Sequence, residues 1–224
     1  MARRTPQAQT LQPPDLDEAE RFSLPVGGML RTDGNYEEVV LNGGEYAASQ
    51  LFGLTIGPAV LTKVIARAAR WRELQLTDVR LTGCDLANID CVGAKMRRVE
   101  LLDGRLTGAN LSDSRLSDLR VANCKADGAW FSRTVFERAR FERCDLRSAN
   151  FEGADLRGVV FNDCDLRLAR LTSARLAGAD LRGSNLQGIE AGPGDFRGAI
   201  IEPMQAADLI ALLGVTLGNR GDRP

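Results

Sequence analysis

The chain has 224 residues, 44% hydrophobic, 26% charged and 5% aromatic, with a formal net charge of -1. That suffices for one sizeable folded unit, lacks the basic excess of a general nucleic-acid binder and leaves little aromatic material for an ordinary core. Five cysteines without a single histidine exclude mixed Cys/His zinc sites, and no CxxC pair is present.

The opening MARRTPQAQT has two arginines but no apolar stretch after them, so no secretory leader is read there. Residues 1–22 are rich in Pro, Gln, Asp and Glu and carry no periodicity, which predicts a disordered N-terminal tail. From residue 23 to 202 a different order takes over. Large residues recur every fifth position, loosely at first through Tyr36, Leu41, Tyr46, Leu51, Ile56 and Leu61. The stretch 59–74, AVLTKVIARAARWREL, can be drawn as an amphipathic helix, but the frame on either side agrees in register, so continued coil is expected. Beyond about residue 70 the frame never slips, from Trp71, Leu76 and Leu81 through Phe141, Leu146 and Phe151 to Leu186.

A second column, two residues before the first, holds small or β-branched residues such as Val79, Cys84, Ala109, Cys144 and Ala179, and the residue between is mostly polar. Helices repeat at 3.6 and strands at 2, so a period of five is neither. Small–polar–large is a three-residue piece of strand with its first and third side chains on one face. Two residues then turn a corner, and the Gly or Asn common at the second of them (Gly83, Asn88, Asn123, Gly153) suits the positive φ of a type II turn. Four units make a square coil of about 20 residues, and stacked coils hydrogen-bond at roughly 4.8 Å. Alanines in large places, Ala66, Ala126 and Ala191, predict a locally thin core, and EAGPGDF at 190–196 predicts a loosened last coil. Residues 203–224 read as a capping helix and tail: Pro203 opens it, Leu209, Ile210, Leu212 and Leu213 form an apolar face, and Gly214 stops it. A short helix over the open end covers unpaired backbone and core, and its leftover apolar face offers a surface for a homodimer.

The units ADLRG at 154–158 and 179–183, ANFEG at 149–153 and CDLRS at 144–148 resemble the A(D/N)LXX repeat of the pentapeptide-repeat family. The resemblance covers about residues 36–201. It implies an all-β solenoid, a right-handed quadrilateral β-helix of roughly eight coils, here with a short C-terminal capping α-helix; the handedness comes from the family.

Cys84, Cys124, Cys144 and Cys164 share one corner of the coil at steps of 40, 20 and 20 residues. A column of thiols could bind a soft metal, but parallel stacked Cβ vectors suit neither a disulfide nor a tetrahedral site. Packing is the reading taken, for Cys91 as well. No nucleophile motif, no P-loop lysine and no deep pocket are expected, so no catalytic, cofactor-binding or metal residue is assigned and the chain is read as non-enzymatic. The family resemblance also implies an alternative, a DNA-mimicking binder or inhibitor of DNA gyrase of the quinolone-resistance type. Arginines interrupting the acidic rows weigh against it, and direct nucleic-acid or membrane binding is not expected. The residues singled out for contact with a protein partner are Trp130 and Val135, outward apolar residues on adjoining faces of one coil, with the arginines Arg138, Arg140 and Arg143 near them. The expected role is a cytoplasmic protein-interaction scaffold, with the reducing compartment inferred from the odd cysteine count.

Overall fold

The computed structural model describes residues 10–16, 22–23, 30–210 and 212. In chain order the strands are β1 Phe22–Ser23, β2 Asn35–Tyr36, β3 Val39–Asn42, β4 Gln50–Phe52, β5 Thr55–Ile56, β6 Ala59–Thr62, β7 Arg70–Arg72, β8 Gln75–Thr82, β9 Lys95–Leu102, β10 Arg115–Ala122, β11 Val135–Glu142 and β12 Val160–Asn162. A 3-10 turn, Pro203–Gln205, leads into α1, Ala206–Ile210. Every described pairing is parallel, and from β3 on partners stand 20 residues apart: Val39 to Ala59, Val79 to Val99, Leu119 to Ala139. Single bridges carry the ladder on where strands are too short to name, as from Val160 to Asp180 and Asp180 to Ile200. The result is a quadrilateral β-helix with a short C-terminal helix. The stretch 59–74 is coil, containing β6 and β7, and no helix forms because the neighbouring courses already supply its backbone with partners.

The large and small columns both face inward. Leu41, Leu61, Leu81, Leu101, Val121, Phe141, Phe161 and Leu181 are all buried in one file, and so are Cys84, Cys124, Cys144 and Cys164 in another. Gly104 occupies the missing rung of that second file. A Cβ there would lie 3.1 Å from the Cys84 carbonyl oxygen, so the rung has no room to spare. Ala66 is fully buried, and an apolar void of about 30 Å³ in the early coils is lined by Leu61, Trp71 and Leu86 among others. Beside Ala126 the same coil brings Phe131, Phe136 and Phe141 on its other three faces, with ring centroids 5.9 to 6.1 Å apart. Aromatic bulk from the other faces of that coil occupies the space that the alanine leaves.

The corners are of two kinds. Many close on a short hydrogen bond from the N–H of the small residue to the carbonyl of the large one before it, as from Ala149 to Leu146 (3.0 Å) and Val159 to Leu156 (3.1 Å). The eight-residue strands β8 to β11 instead run through a wide corner at Asp78, Arg98, Asp118 and Arg138. Those four adopt positive φ between 51° and 57° without being glycine, a conformation costing roughly 1 kcal/mol or more per residue. Their side chains offset that cost, as described below.

Both ends differ from a bare coil. Glycines and a proline open the last course into turns over 193–198, the loosening expected of EAGPGDF. The capping segment covers the top course through one side chain: Nε2 of the buried Gln205 donates to the carbonyls of Leu181 (2.7 Å) and Ser184 (2.6 Å). At the other end the structure describes residues 10–16 and 22–23 of the N-terminal region. Phe22 pairs with Val39 and starts the ladder. Residues 10–16 lie along the wide corner, with Pro14 buried. The Gln12 N–H donates to Asp118 (3.2 Å) and the Asp15 N–H to Asp78 (2.9 Å). Buried carboxylate acceptors on the wall supply what the segment's own composition lacks. Leu213 and Gly214 lie outside the described residues, and among these no helix is long and apolar enough to cross a membrane.

Candidate interaction surface

The outward place of each unit and the two corner places form the walls, and charge there is organised in pairs. Within one unit an aspartate accepts from the arginine two residues on: Asp145 from Arg147, Asp155 from Arg157, Asp165 from Arg167 and Asp180 from Arg182, each at 2.6 Å. In each case the arginine hydrogen bond holds the carboxyl below the usual carboxylate range. Between coils, Arg80 pairs with Glu100 at 2.7 Å and Arg120 with Glu142 at 2.8 Å. The wide corner carries a charge column in which Arg98 grips Asp78 through Nε and Nη2, both at 2.5 Å, and Arg138 grips Asp118 through the same atoms at 2.7 Å. Burial pushes Asp78 up, but hydrogen bonds from Arg98 and the Asp15 N–H outweigh it and hold the carboxyl below its ordinary value. For Asp118 the Arg138 hydrogen bond is the main cause of the same depression, with burial opposing. These walls are flat, of mixed sign and largely self-neutralising.

The residues singled out in the sequence wrap one coil rather than gathering in one patch. Trp130 is 49% exposed and bridges Asn110 and Asn150 along its file, so it stands as an aromatic between two amides. Val135 is half-buried on the next face, in line with Arg115 and Asp155. Arg138, at the wide corner beyond it, is committed to Asp118. Arg140 lies on the face opposite Trp130, 3.6 Å from Glu142, and its Nε is buried without a hydrogen-bond partner. Arg143, exposed at the following corner, donates to Asn123 at 2.8 Å. Leu168 is a further exposed apolar residue at 61%, and so is Phe52 at 48%. Phe52 went unnoticed in the sequence because it sits in the loose early frame, where outward places are harder to assign.

The thiols face the core. All five cysteines are free and buried. Burial pushes Cys124 up to about 12 and raises Cys84 and Cys91 as well. A hydrogen bond with Cys144, together with burial, pushes Cys164 up. Among the described residues no three His, Cys, Asp or Glu side chains converge as a metal site would require. An open cleft of about 580 Å³ lies along one corner, lined by Phe52, Arg72, Glu73, Gln75, Val92, Gly93 and Lys95. Its Arg72 is tied to Asp90 at 2.5 Å, and its lining holds no nucleophile with an adjacent base.

A family profile matches the repeat architecture. The family profile "Pentapeptide repeats" matches residues 75–113, 114–153 and 149–188, in eight copies. Among solved structures, the chain is similar to trypsin-treated QnrB1, a plasmid-mediated fluoroquinolone resistance protein, at 20% identity, covering 88% of this chain and 98% of that one, with a TM-score of 0.42. It is similar to HetL, involved in heterocyst differentiation regulation in the cyanobacterium Nostoc sp. strain PCC 7120, at 21% identity over 79% of this chain and 90% of that one, TM-score 0.30. A third is Rfr23 from the cyanobacterium Cyanothece 51142, at 19% identity over 70% and 91%, TM-score 0.22. No protein with a curated function matches significantly.

Proposed function

Because the chain belongs to the pentapeptide-repeat family, whose filled coils present walls rather than pockets, we propose that it is a non-enzymatic scaffold binding another protein through its outer faces. The observation that carries this reading is Trp130: a large aromatic 49% exposed on an otherwise polar file, where burial would return its hydrophobic area at little cost in side-chain order. Val135 offers a separate, half-buried apolar contact on the adjoining face, and Arg138, Arg140 and Arg143 are candidates for charged contacts further round the coil. The five free thiols fit a reducing, cytoplasmic setting. A second copy is a further proposed partner, through the apolar surface of Phe196, Ile201, Leu209 and Ile210 around the capping helix.

The test compares the native chain with Trp130→Ala in crosslinked capture from native lysate. The same fold with a lost partner band supports the reading, and unchanged binding removes Trp130 from it. The alternative, a DNA mimic acting on gyrase, requires rows of unpaired carboxylates, and the ion pairs along these walls argue against such rows. A supercoiling assay with purified gyrase decides it: inhibition, or protection from a quinolone, would restore the mimic and displace the scaffold.

A further inference from the structure

The segment Gln12–Asp15, read Gln-Pro-Pro-Asp, meets the wide corner in a geometry that its own sequence matches. Asp78 and Asp118 stand two coils apart, roughly 10 Å at the strand spacing. Three steps of extended or polyproline backbone cover about the same distance. The two residues at that separation, Gln12 and Asp15, are those with an N–H to give, and each gives it to one of the two carboxylates. The two between are prolines, which have no N–H to leave unsatisfied as the backbone passes Arg98. The Asp15 carboxylate completes the fit, lying close enough for its charge to act on the Arg98 guanidinium.

The wall side is a built receptor. The Asp78 and Asp118 side chains are only 8% and 3% exposed and are fixed from behind by bidentate arginines. Each presents the same oxygen, Oδ1, to a backbone N–H of the segment. Charge-assisted acceptors held rigid in this way recognise a backbone pattern, and a polyproline segment loses little entropy on docking.

We propose that the Asp78–Arg98–Asp118–Arg138 corner is a peptide-binding site for extended Pro-Pro-Asp segments, occupied in cis by Gln12–Asp15, and that a protein carrying such a segment docks by displacing it. This goes beyond the scaffold reading in naming a ligand and a surface that shares only Arg138 with the residues proposed around Trp130. The test below reads peptide binding alone, so its failure leaves the Trp130 surface standing, and the reverse holds too. A tethered segment competes at an effective concentration of about millimolar, so an outside peptide binds the native chain with an affinity reduced by the fraction of sites open.

The experiment uses the full chain and a fluorescein-labelled peptide copying Thr10–Leu16, followed by anisotropy. The variant Gln12→Pro/Asp15→Pro removes both tethered donors without touching the coils, and circular dichroism checks its fold. The peptide is expected to bind this variant about tenfold or more tighter than the native chain. A peptide with proline at the same two places should not bind, and adding Asp78→Asn/Asp118→Asn to the opened chain should weaken binding about tenfold or more, because the amide oxygens still accept but without the charge. Should that corner pair disturb the coil, the two peptides decide the matter alone. Equal affinity for native and opened chains, equal affinity for the two peptides, or no binding to the opened chain up to about 1 mM, the scale of the tethered segment's own concentration, would overturn the proposal and make residues 12–15 a fixed part of the wall.

Discussion

Phe141 and Phe161 stack one coil apart, with ring centroids 5.1 Å apart and planes 7° from parallel. Phe131 and Phe151 do the same on the opposite side of the core, at 5.0 Å and 13°. Five of the eight phenylalanines, Phe131, Phe136, Phe141, Phe151 and Phe161, thus gather in adjoining courses, where they replace aliphatic files above and below. Phe141→Ala should destabilise by about 3–5 kcal/mol, the usual cost of an emptied aromatic site. Phe141→Leu should cost much less, because most of the volume is kept. Urea unfolding of the two variants measures both.

The inward and outward places predict a sharp contrast between neighbours. Leu146 is fully buried, and Leu146→Ala should cost about 2–5 kcal/mol. Asp145, one residue before, faces out and pairs with Arg147, itself about half exposed, so Asp145→Ala should cost under about 1 kcal/mol. Equal losses in denaturant unfolding would contradict the assignment of faces.

Gln205 closes the C-terminal end by donating to two carbonyls of the last courses. Gln205→Ala leaves both acceptors bare beneath the cap and should cost about 1–3 kcal/mol. The loss should be local, because each course contacts mainly its neighbours. Hydrogen exchange should therefore quicken over residues 179–190, with little change near residue 100.

Asp78, Asp118, Asp145, Asp155, Asp165 and Asp180 all ionise below the ordinary value of 3.8 in the folded chain. The unfolded chain therefore takes up protons first as pH falls. The stability these groups confer is whole at neutral pH and drains away as pH drops through about 4 towards their folded values. The urea midpoint should be level from pH 7 to 5 and fall steeply below 4. High salt should erase most of the contribution of the exposed pairs and less of that of the enclosed Asp78 and Asp118. Asp78→Asn/Asp118→Asn should flatten the acid limb.

The cysteines should be chemically silent. All five are buried; Cys84, Cys91, Cys124 and Cys164 are held above the ordinary thiol value, and Cys144, lowered by its hydrogen bond with Cys164, is enclosed in the core out of a reagent's reach. A thiol reagent such as Ellman's should find none of the five in the native chain within the time it takes to label all five in denaturant. Fast labelling of any one under native conditions would mean that its course opens.

Much of this structure is written in the period. A five-residue repeat with small, polar and large places dictates which side chains enter the core, where the corners turn and which residues stack, because each unit repeats the same local backbone and each coil copies the one below. The stack of Phe141 on Phe161, the burial of the cysteine file and the left-handed corner places all follow from register alone. What lacks a period could not be read the same way. Gln12 and Asp15 reach acceptors 106 and 63 residues away, and the polar, proline-rich composition that spoke for disorder concealed a match to two carboxylates two coils apart. Gln205 is likewise a single polar residue whose role exists only once the last course leaves carbonyls unpaired. The residues proposed for contact around Trp130 share one coil in sequence, but the four-sided path turns them onto different faces, so proximity along the chain did not become a patch. Local burial and register are properties of the repeat, whereas satisfaction of buried charge and of open ends belongs to the assembled stack.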